Sequence, residues 1–263
     1  YLGTDASAGW LVSMICSVVL FVALIWYNTF RQARCKKKGE HFVPISEDPE
    51  VKTDAKRPPF LLALAPLVIL IVALNVVKFS IETSLLVGFL SQLILYFRYY
   101  PHDFKLVTDK LGSAGMDSVK SITNTCATVG FGGAIAASEA FANLVPVVTD
   151  IGGNPLIGAA IATTLLACMT GSASGGLGIA VPIAADVYLP MGVNPEALHR
   201  MASISASALD TLPHNGAVIT FLNHSHTTHK EGYGDVFVVT VIFTFVEMIL
   251  ALVLFTALGQ VYV

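Results

Sequence analysis

The chain has 263 residues, of which 54% are hydrophobic and only 13% are charged, and its mean hydropathy is +0.71. Soluble domains carry about 25% charged residues, so this composition excludes an ordinary soluble protein and indicates an integral membrane protein. The formal net charge of -3 and the lack of a cluster of basic and aromatic residues give no reason to expect nucleic acid as a partner.

Four apolar runs predict membrane-spanning helices. They are residues 10–30, 60–77, 81–97 and 236–258. Each approaches or exceeds the roughly 17 to 25 residues that cross a bilayer. Eight of the fifteen Lys and Arg residues lie between Arg31 and Arg57, and the positive-inside bias places this hydrophilic stretch in the cytoplasm. The first span therefore runs from outside to inside, and we expect a multi-pass protein of the cell inner membrane in contact with membrane lipid.

The same patterns divide the chain into four parts. Residues 1–30 hold the first transmembrane span, and residues 31–58 form a cytoplasmic linker in which prolines and charges predict an extended connector. Residues 59–117 hold further spans and an amphipathic helix in the membrane interface. Residues 118–263 form the last part, which ends in the final span.

Small and polar residues interrupt the apolar sequence of this last part. No Lys or Arg occurs between Ser121 and His199, yet Gly, Ser, Thr and Asn recur there. Such residues at membrane depth interrupt helices, and the freed N–H and C=O groups must be satisfied by protein, water, ions or a substrate. We therefore predict one re-entrant or interrupted helix with its tip near residues 125–133, and a second break at residues 171–176. The expected fold class is an all-α membrane protein with re-entrant or discontinuous helices. Because discontinuous helices are typical of secondary transporters, residues 118–263 are predicted to be a transport domain.

A third interruption, at residues 207–216, adds ionisable groups. Pro213 disturbs a helix there, and Asp210 and His214 can exchange protons. Glu247 lies in the middle of the final apolar run. Because a charge inside a membrane is costly, these three residues are predicted to couple transport to protons. The alternatives are a polar cap near the membrane surface for the first two, and snorkelling or pairing with a neighbouring helix for Glu247.

Broken helices favour a small organic anion as the ligand. Half-helix N-termini and hydroxyl groups can neutralise a carboxylate without a buried Arg or Lys. The alternative is that the small residues only allow close helix packing. The predicted substrate-binding residues are Asn124, Thr125, Gly130, Gly132, Ser172, Ser174, Gly175, Gly176, Thr211 and Asn215.

A histidine cluster raises one other possibility. His224, His226 and His229 have a spacing that could bind zinc or iron, but they lie in a hydrophilic connector, and a solvated loop is the favoured interpretation. We therefore expect no metal site, no cofactor and no enzyme activity. A cation channel or Na⁺ exchanger that uses the same broken helices remains an alternative to the carrier, and a membrane metalloenzyme is a less favoured one.

Three short runs resemble a known family. GNPLI at 153–157, TGSASGG at 170–176 and DTLPHNG at 210–216 are similar to the C-terminal half of the gluconate permease family, most closely to its hydroxybutyrate-permease-like members. The resemblance extends from about Phe60 onward. It implies an elevator-like, proton-coupled symporter of small hydroxy-carboxylates within the ion transporter superfamily, built from two inverted repeats and often dimeric.

The resemblance also implies how the site is assembled. Residues 123–125 and 172–176 would form one half of the substrate site. One set of broken segments is detected, so the chain corresponds to one half of the inverted repeat, and either a missing N-terminal half or a homodimer would supply the rest. The coupling ion is expected to be H⁺, with Na⁺ as the alternative.

Overall fold

The computed structural model describes residues 1–41, 57–100, 104–139, 143, 146–147 and 151–263. Apart from an isolated antiparallel bridge between Val193 and Tyr262, these residues contain no strand, so the predicted all-α fold is confirmed for them. A π-helical stretch, Val238–Ile242, links the last two helices. The helices are α1 (Trp10–Lys37), α2 (Phe60–Asn75), α3 (Ile81–Leu95), α4 (Phe104–Ala136), α5 (Pro155–Thr170), α6 (Ala173–Tyr188), α7 (Pro195–Ala206), α8 (Gly216–His224), α9 (His229–Phe237) and α10 (Phe243–Ala257).

Two helical stretches are long and apolar enough to cross a membrane. They are Trp10–Lys37 and His229–Ala257, the second of which comprises α9, the π-helical stretch and α10. Four other helices, α2, α3, α5 and α6, are apolar but have only 15 or 16 residues. At 1.5 Å per residue they reach about 24 Å, short of the roughly 30 Å hydrocarbon core. Length and composition thus support a membrane protein.

Capping residues explain where several helices begin. Asn154 and Asn194 each accept a backbone N–H bond two residues on, at 3.0 and 2.9 Å, and each is followed by proline at the first helical position. An asparagine cap satisfies an orphan N–H, and proline costs nothing there because its missing N–H would be unpaired anyway. Asn215 caps α8 in the same way.

Contacts divide the chain into two compact units. One comprises residues 44–119, and the other comprises residues 1–43 and 120–263. In the first unit α2 and α3 form a helical hairpin, in which a Cβ at Gly88 would lie 3.0 Å from Leu70 Cδ1. The Tyr96 hydroxyl donates to the Ala63 carbonyl at 2.6 Å, which joins the two helices again at their far ends.

The larger unit has a core built from α1, α5, α6, α7 and α10. Its fully buried side chains include Val12, Leu156, Leu198, Met201 and Phe255. Within it, α5 and α6 pack against each other as an antiparallel hairpin. A Cβ at Gly176 would lie only 2.5 Å from Ala167 Cα, so the two helix backbones touch at this point.

Both ends of α1 are attached to the last helical stretch. Near its C-terminal end, Arg31 pairs with both carboxylate oxygens of Asp235 at 2.6 Å, and the Tyr27 hydroxyl donates to the same carboxylate at 2.6 Å. At its N-terminal end, a Cβ at Gly9 would lie 3.1 Å from Phe255 Cζ. The two long apolar helices therefore run antiparallel.

The predicted break at residues 125–133 is wrong, because α4 is helical from Phe104 to Ala136. The predicted interfacial helix and the segment that follows it are one element. The segment contains no proline, and a glycine inside a helix costs only about 1 kcal/mol relative to alanine. Leaving backbone groups unpaired in an apolar setting costs more. The breaks predicted at 171–176 and 207–216 are confirmed as helix ends, since α5 ends at Thr170 and α7 ends at Ala206. Their re-entrant or discontinuous arrangement in a membrane stays a prediction.

The predicted linker begins later than expected. α1 continues through Arg31 to Lys37, because Arg, Gln, Ala and Lys are good helix formers and basic side chains favour a helix C-terminus. Residues 42–56, which hold most of the remaining linker, lie outside the described residues.

The segment before α1 is bound to the start of α7. Arg200 donates to the carbonyls of Ala6 and Ala8, at 3.0 Å and at 2.7 to 2.9 Å respectively. The Thr4 hydroxyl lies 2.7 Å from Nδ1 of His199, within hydrogen-bond distance. Burial lowers the pKa of His199 below its ordinary value, the charge of Arg200 lowers it further, and Glu196 opposes the shift.

Replacing Gly176 with alanine should destabilise the α5–α6 hairpin by about 1 to 3 kcal/mol, because the new Cβ would overlap the Ala167 backbone. Gly178→Ala is the matched control: it lies on the same helix, its Cβ would meet nothing within 4 Å, and it should be neutral or stabilising by up to about 1 kcal/mol. The measurement is thermal unfolding in detergent. Equal melting temperatures for the two variants would contradict the close backbone contact.

The free energy of unfolding should decrease as the pH falls through about 6.5. The lowered pKa of folded His199 means that the unfolded chain takes up this proton first. The contribution of His199 to the free energy of unfolding is therefore fully present above the unfolded pKa. It decreases as the pH falls from the unfolded pKa to the folded pKa. Melting temperatures across this pH range measure the effect, and His199→Gln should flatten the profile. A profile that His199→Gln leaves unchanged would refute this assignment.

Candidate functional site

The two confirmed helix breaks lie against each other. The Asn215 side-chain amide donates to the Gly171 carbonyl at 2.8 Å, and His214 Nε2 donates to the Cys168 carbonyl at 3.0 Å. Gly171 has a φ of +59°, and a Cβ there would lie 3.0 Å from the His214 ring. Glycine is therefore required both for the left-handed turn and for the approach of the imidazole.

Asn215 joins the breaks through every hydrogen-bonding position of its amide. Its oxygen accepts from the N–H groups of Ala217 and Val218, at 2.6 and 3.0 Å, and so caps α8. Its nitrogen donates to the carbonyls of Gly171 and Asp210, at 2.8 and 2.9 Å. The residue is only 6% exposed. Its role in substrate binding stays a prediction, and in this structure its two donors and two acceptor positions are all used within the chain.

The N-terminus of α6 is occupied by side chains of the chain itself. The Ser172 hydroxyl accepts the Gly175 N–H at 3.2 Å and lies 3.1 Å from the Ser174 hydroxyl. The Asp210 carboxylate accepts a hydrogen bond from the Ala173 N–H. A helix N-terminus attracts negative charge, and here the acid that it attracts comes from the other break.

The π-helical stretch Val238–Ile242 meets the same place. Thr211 donates its hydroxyl proton to Thr240 Oγ1 at 2.7 Å, and the Tyr233 hydroxyl donates to the Thr211 carbonyl at 3.2 Å. π-helical turns are rare in proteins, and those that do occur often lie at functional sites. We refer to the three irregular segments together, residues 170–173, 207–215 and 238–242, as the junction.

Several predicted site residues belong to the junction and others do not. Asp210, Thr211, His214 and Asn215 lie in or beside its second segment, and Ser172 lies in its first. Ser174 follows on α6 and is exposed, whereas Gly175 and Gly176 are buried. At Gly176 the close-packing explanation accounts for the glycine, because Ala167 fills the space of a side chain.

Glu247 lies outside the junction contacts. It is half-buried on α10. Among the described residues it has no hydrogen-bond or ion-pair partner. Its role in proton coupling stays a prediction.

The predicted half-site on α4 also stays a prediction. Gly130 is exposed, and a Cβ there would meet nothing within 4 Å. The side chains of Asn124 and Thr125 and the surroundings of Gly132 lie outside the described residues.

One histidine of the connector has a described side-chain contact with the protein. His229 Nε2 donates to the Pro213 carbonyl at 3.0 Å, which holds the start of α9 against the second break. His226 takes a left-handed φ of +52° in the turn before α9. The side chain of His224 is not among the described ones. The described residues contain no group of three or more His, Cys, Asp or Glu side chains arranged to hold a metal.

Sequence reasoning missed two parts of the junction. Residues 236–258 read as a plain apolar span, and neither Gly nor Pro occurs at 238–242 to signal the π-helical stretch. The single polar residue there, Thr240, was the available signal. The pairing of Asp210 with the Ala173 N–H was missed, because nothing in the sequence shows that the two breaks are neighbours.

Comparison with known proteins finds a relative of part of this chain. The chain is 38% identical over 170 residues to a protein of Bacillus subtilis (strain 168) named uncharacterized transporter YxjC. The match covers 63% of this chain and 35% of the relative, so the matched region corresponds to about a third of the relative's length. No family model and no solved structure matches the chain. The likeness supports a transporter, and the relative's name specifies neither a substrate nor a coupling ion.

Replacing Asn215 with aspartate should separate its two roles. The carboxylate keeps the α8 cap but loses the N–H donors, and it places an oxygen against the carbonyls of Gly171 and Asp210. We expect a loss of about 1 to 3 kcal/mol, as for a buried group left unpaired, measured by thermal unfolding. Asn194→Asp is the control: its side chain caps α7, and aspartate should serve equally well there. A stable Asn215→Asp variant would show that the link between the breaks contributes little.

Proposed function

We propose that this chain is part of a secondary transporter that carries small hydroxy-carboxylates, such as gluconate or 3-hydroxybutyrate, together with protons. The observation that carries the proposal is the junction, where two helix breaks and a π-helical stretch meet beside Asp210 in otherwise apolar helices. Discontinuous helices that meet in this way form the substrate and ion sites of secondary transporters. The likeness to a protein named a transporter supports the same class, and the family resemblance of the three motifs supports the substrate class.

The α6 N-terminus suggests how substrate and proton would be coupled. Asp210 already accepts the Ala173 N–H, so an anionic substrate that approaches this helix end meets a carboxylate of the same sign. Protonation of Asp210 removes that repulsion and weakens its hold on the N–H group. The substrate carboxylate can then take the favourable position at the helix end. In this proposal the proton and the substrate bind together, because the binding of each lowers the free-energy cost of binding the other.

The surrounding residues would have distinct roles. The exposed hydroxyl of Ser174, which lies 3.1 Å from Ser172, is placed to contact the substrate. His214 lies on Gly171 and would pass protons between water and the break. Glu247, which has no hydrogen-bonding partner among the described residues, would be a second protonation site in the last span.

The carrier requires more than the junction. Inverted-repeat carriers bind substrate between two halves, and the matched relative is longer than this chain. We propose that an N-terminal half, or a second copy of this chain, completes the site in the cell inner membrane.

The test is uptake of labelled gluconate and 3-hydroxybutyrate into vesicles that contain the reconstituted protein. An inward proton gradient should accelerate uptake, and Asp210→Asn should reduce this acceleration by about tenfold, a typical coupling effect. Asp186→Asn is the matched control, because Asp186 is an exposed acid on α6 away from the break, and it should keep the response.

Three outcomes would contradict the proposal. Uptake by Asp210→Asn with an unchanged dependence on the proton gradient would remove Asp210 from the coupling. Acceleration by an inward Na⁺ gradient in place of the proton gradient would assign coupling to Na⁺, and a conductance far above carrier turnover would indicate a channel.

A further inference from the structure

The smaller unit contains an apolar groove between α3 and the first turns of α4. Its volume is about 760 Å³, and its lining includes Phe89, Leu93, Phe97, Phe104 and Leu111. Ligand pockets in proteins typically measure about 300 to 1,000 Å³ and are lined mainly by apolar and aromatic side chains. The groove therefore has the size and composition of a site for a largely apolar molecule.

The aromatic walls of the groove are open. Phe97 is 67% exposed and Phe104 is 82% exposed. Such large apolar side chains gain free energy when an apolar surface removes them from water. An occupant with hydrocarbon character is therefore favoured.

Among the described residues that line the groove, one is a cation. Lys110 lies in the lining, together with the neutral polar side chains of Gln92 and Tyr100, and no acid is found among the described lining residues. A protein surface packed over the groove would bury the ammonium group of Lys110. This burial is costly unless the partner also places an acid beside the ammonium group. A phospholipid carries an acyl chain and a phosphate in one molecule, and so it satisfies the aromatic walls and the lysine together.

The position of the groove favours the same occupant. It lies beside Arg98, which the positive-inside bias places at the cytoplasmic end of the third span. Anionic phospholipids give the cytoplasmic leaflet its negative surface potential, and basic pockets on this side of membrane proteins bind their headgroups.

We propose that this groove is a binding site for an anionic phospholipid, with an acyl chain against Phe97 and Phe104 and the headgroup phosphate at Lys110. The site does not depend on the transported substrate, and it would tie α3 and α4 to the lipid of one leaflet. Transport activity is therefore not needed to test it.

The experiment uses a single tryptophan in the groove. Trp10 and Trp26, the two tryptophans of the chain, are replaced by phenylalanine, and Phe97→Trp places the reporter. The protein is reconstituted in vesicles of unbrominated phosphatidylcholine to which brominated phosphatidylglycerol or brominated phosphatidylcholine is added, and fluorescence quenching reports which lipid lies against residue 97. We expect the anionic lipid to be preferred by about fivefold in relative affinity, the contribution of one basic residue near an anionic surface.

Two variants test the assigned contacts. Lys110→Gln should abolish the preference and leave the quenching by the two lipids equal. Lys105→Gln removes a charge from the same helix outside the lining and should keep the preference. Equal quenching in the parent protein, or a preference that survives Lys110→Gln, would overturn the headgroup assignment. Quenching by neither lipid would overturn the site, because protein would then cover the groove.

Discussion

An apolar environment leaves no backbone polar group without a partner, and the structure of the larger unit follows from how this requirement is met at its broken helices. Where α5 and α7 end, each break exposes carbonyl and N–H groups. The exposed groups of one break are bonded by side chains of the other: Asn215 and His214 reach the carbonyls at the end of α5, and Asp210 reaches the N–H at the start of α6. Neither break is complete without the other, so the geometry of the junction is a property of the pair.

The sequence was informative where a residue imposes a backbone conformation. Gly171 permits the left-handed turn that ends α5, and Asn215 with Gly216 begins α8, so both breaks could be placed from residue types. Glycines without a proline or a capping side chain were misleading at residues 125–133, where α4 simply continues. Helix breaks in apolar sequence are thus predicted by residues that supply an alternative bonding pattern, and flexibility alone does not predict them.

The partnership between the breaks could not be predicted in the same way. It depends on which helices are neighbours, and neighbours in space are not encoded in the spacing of any one motif. The π-helical stretch illustrates this limit, since its residues are β-branched and apolar like those of an ordinary span. The different roles of the small residues can be distinguished only in the three-dimensional structure. Gly176 allows the α5 and α6 backbones to touch, whereas Ser172 caps a helix.

The attachment of α1 to the last helical stretch has a consequence for topology. Arg31 is one of the basic residues from which the end of α1 is predicted to lie in the cytoplasm, and its ion pair with Asp235 holds the beginning of the last stretch beside that end. Gly9 and Phe255 bring the opposite ends together. In the orientation predicted for α1, from outside to inside, we expect the antiparallel final stretch to return across the bilayer, with Ala257 toward the outer face. The Arg31–Asp235 ion pair thus extends the orientation predicted from the basic stretch after α1 to the last helical stretch, whose own flanks carry almost no basic residues.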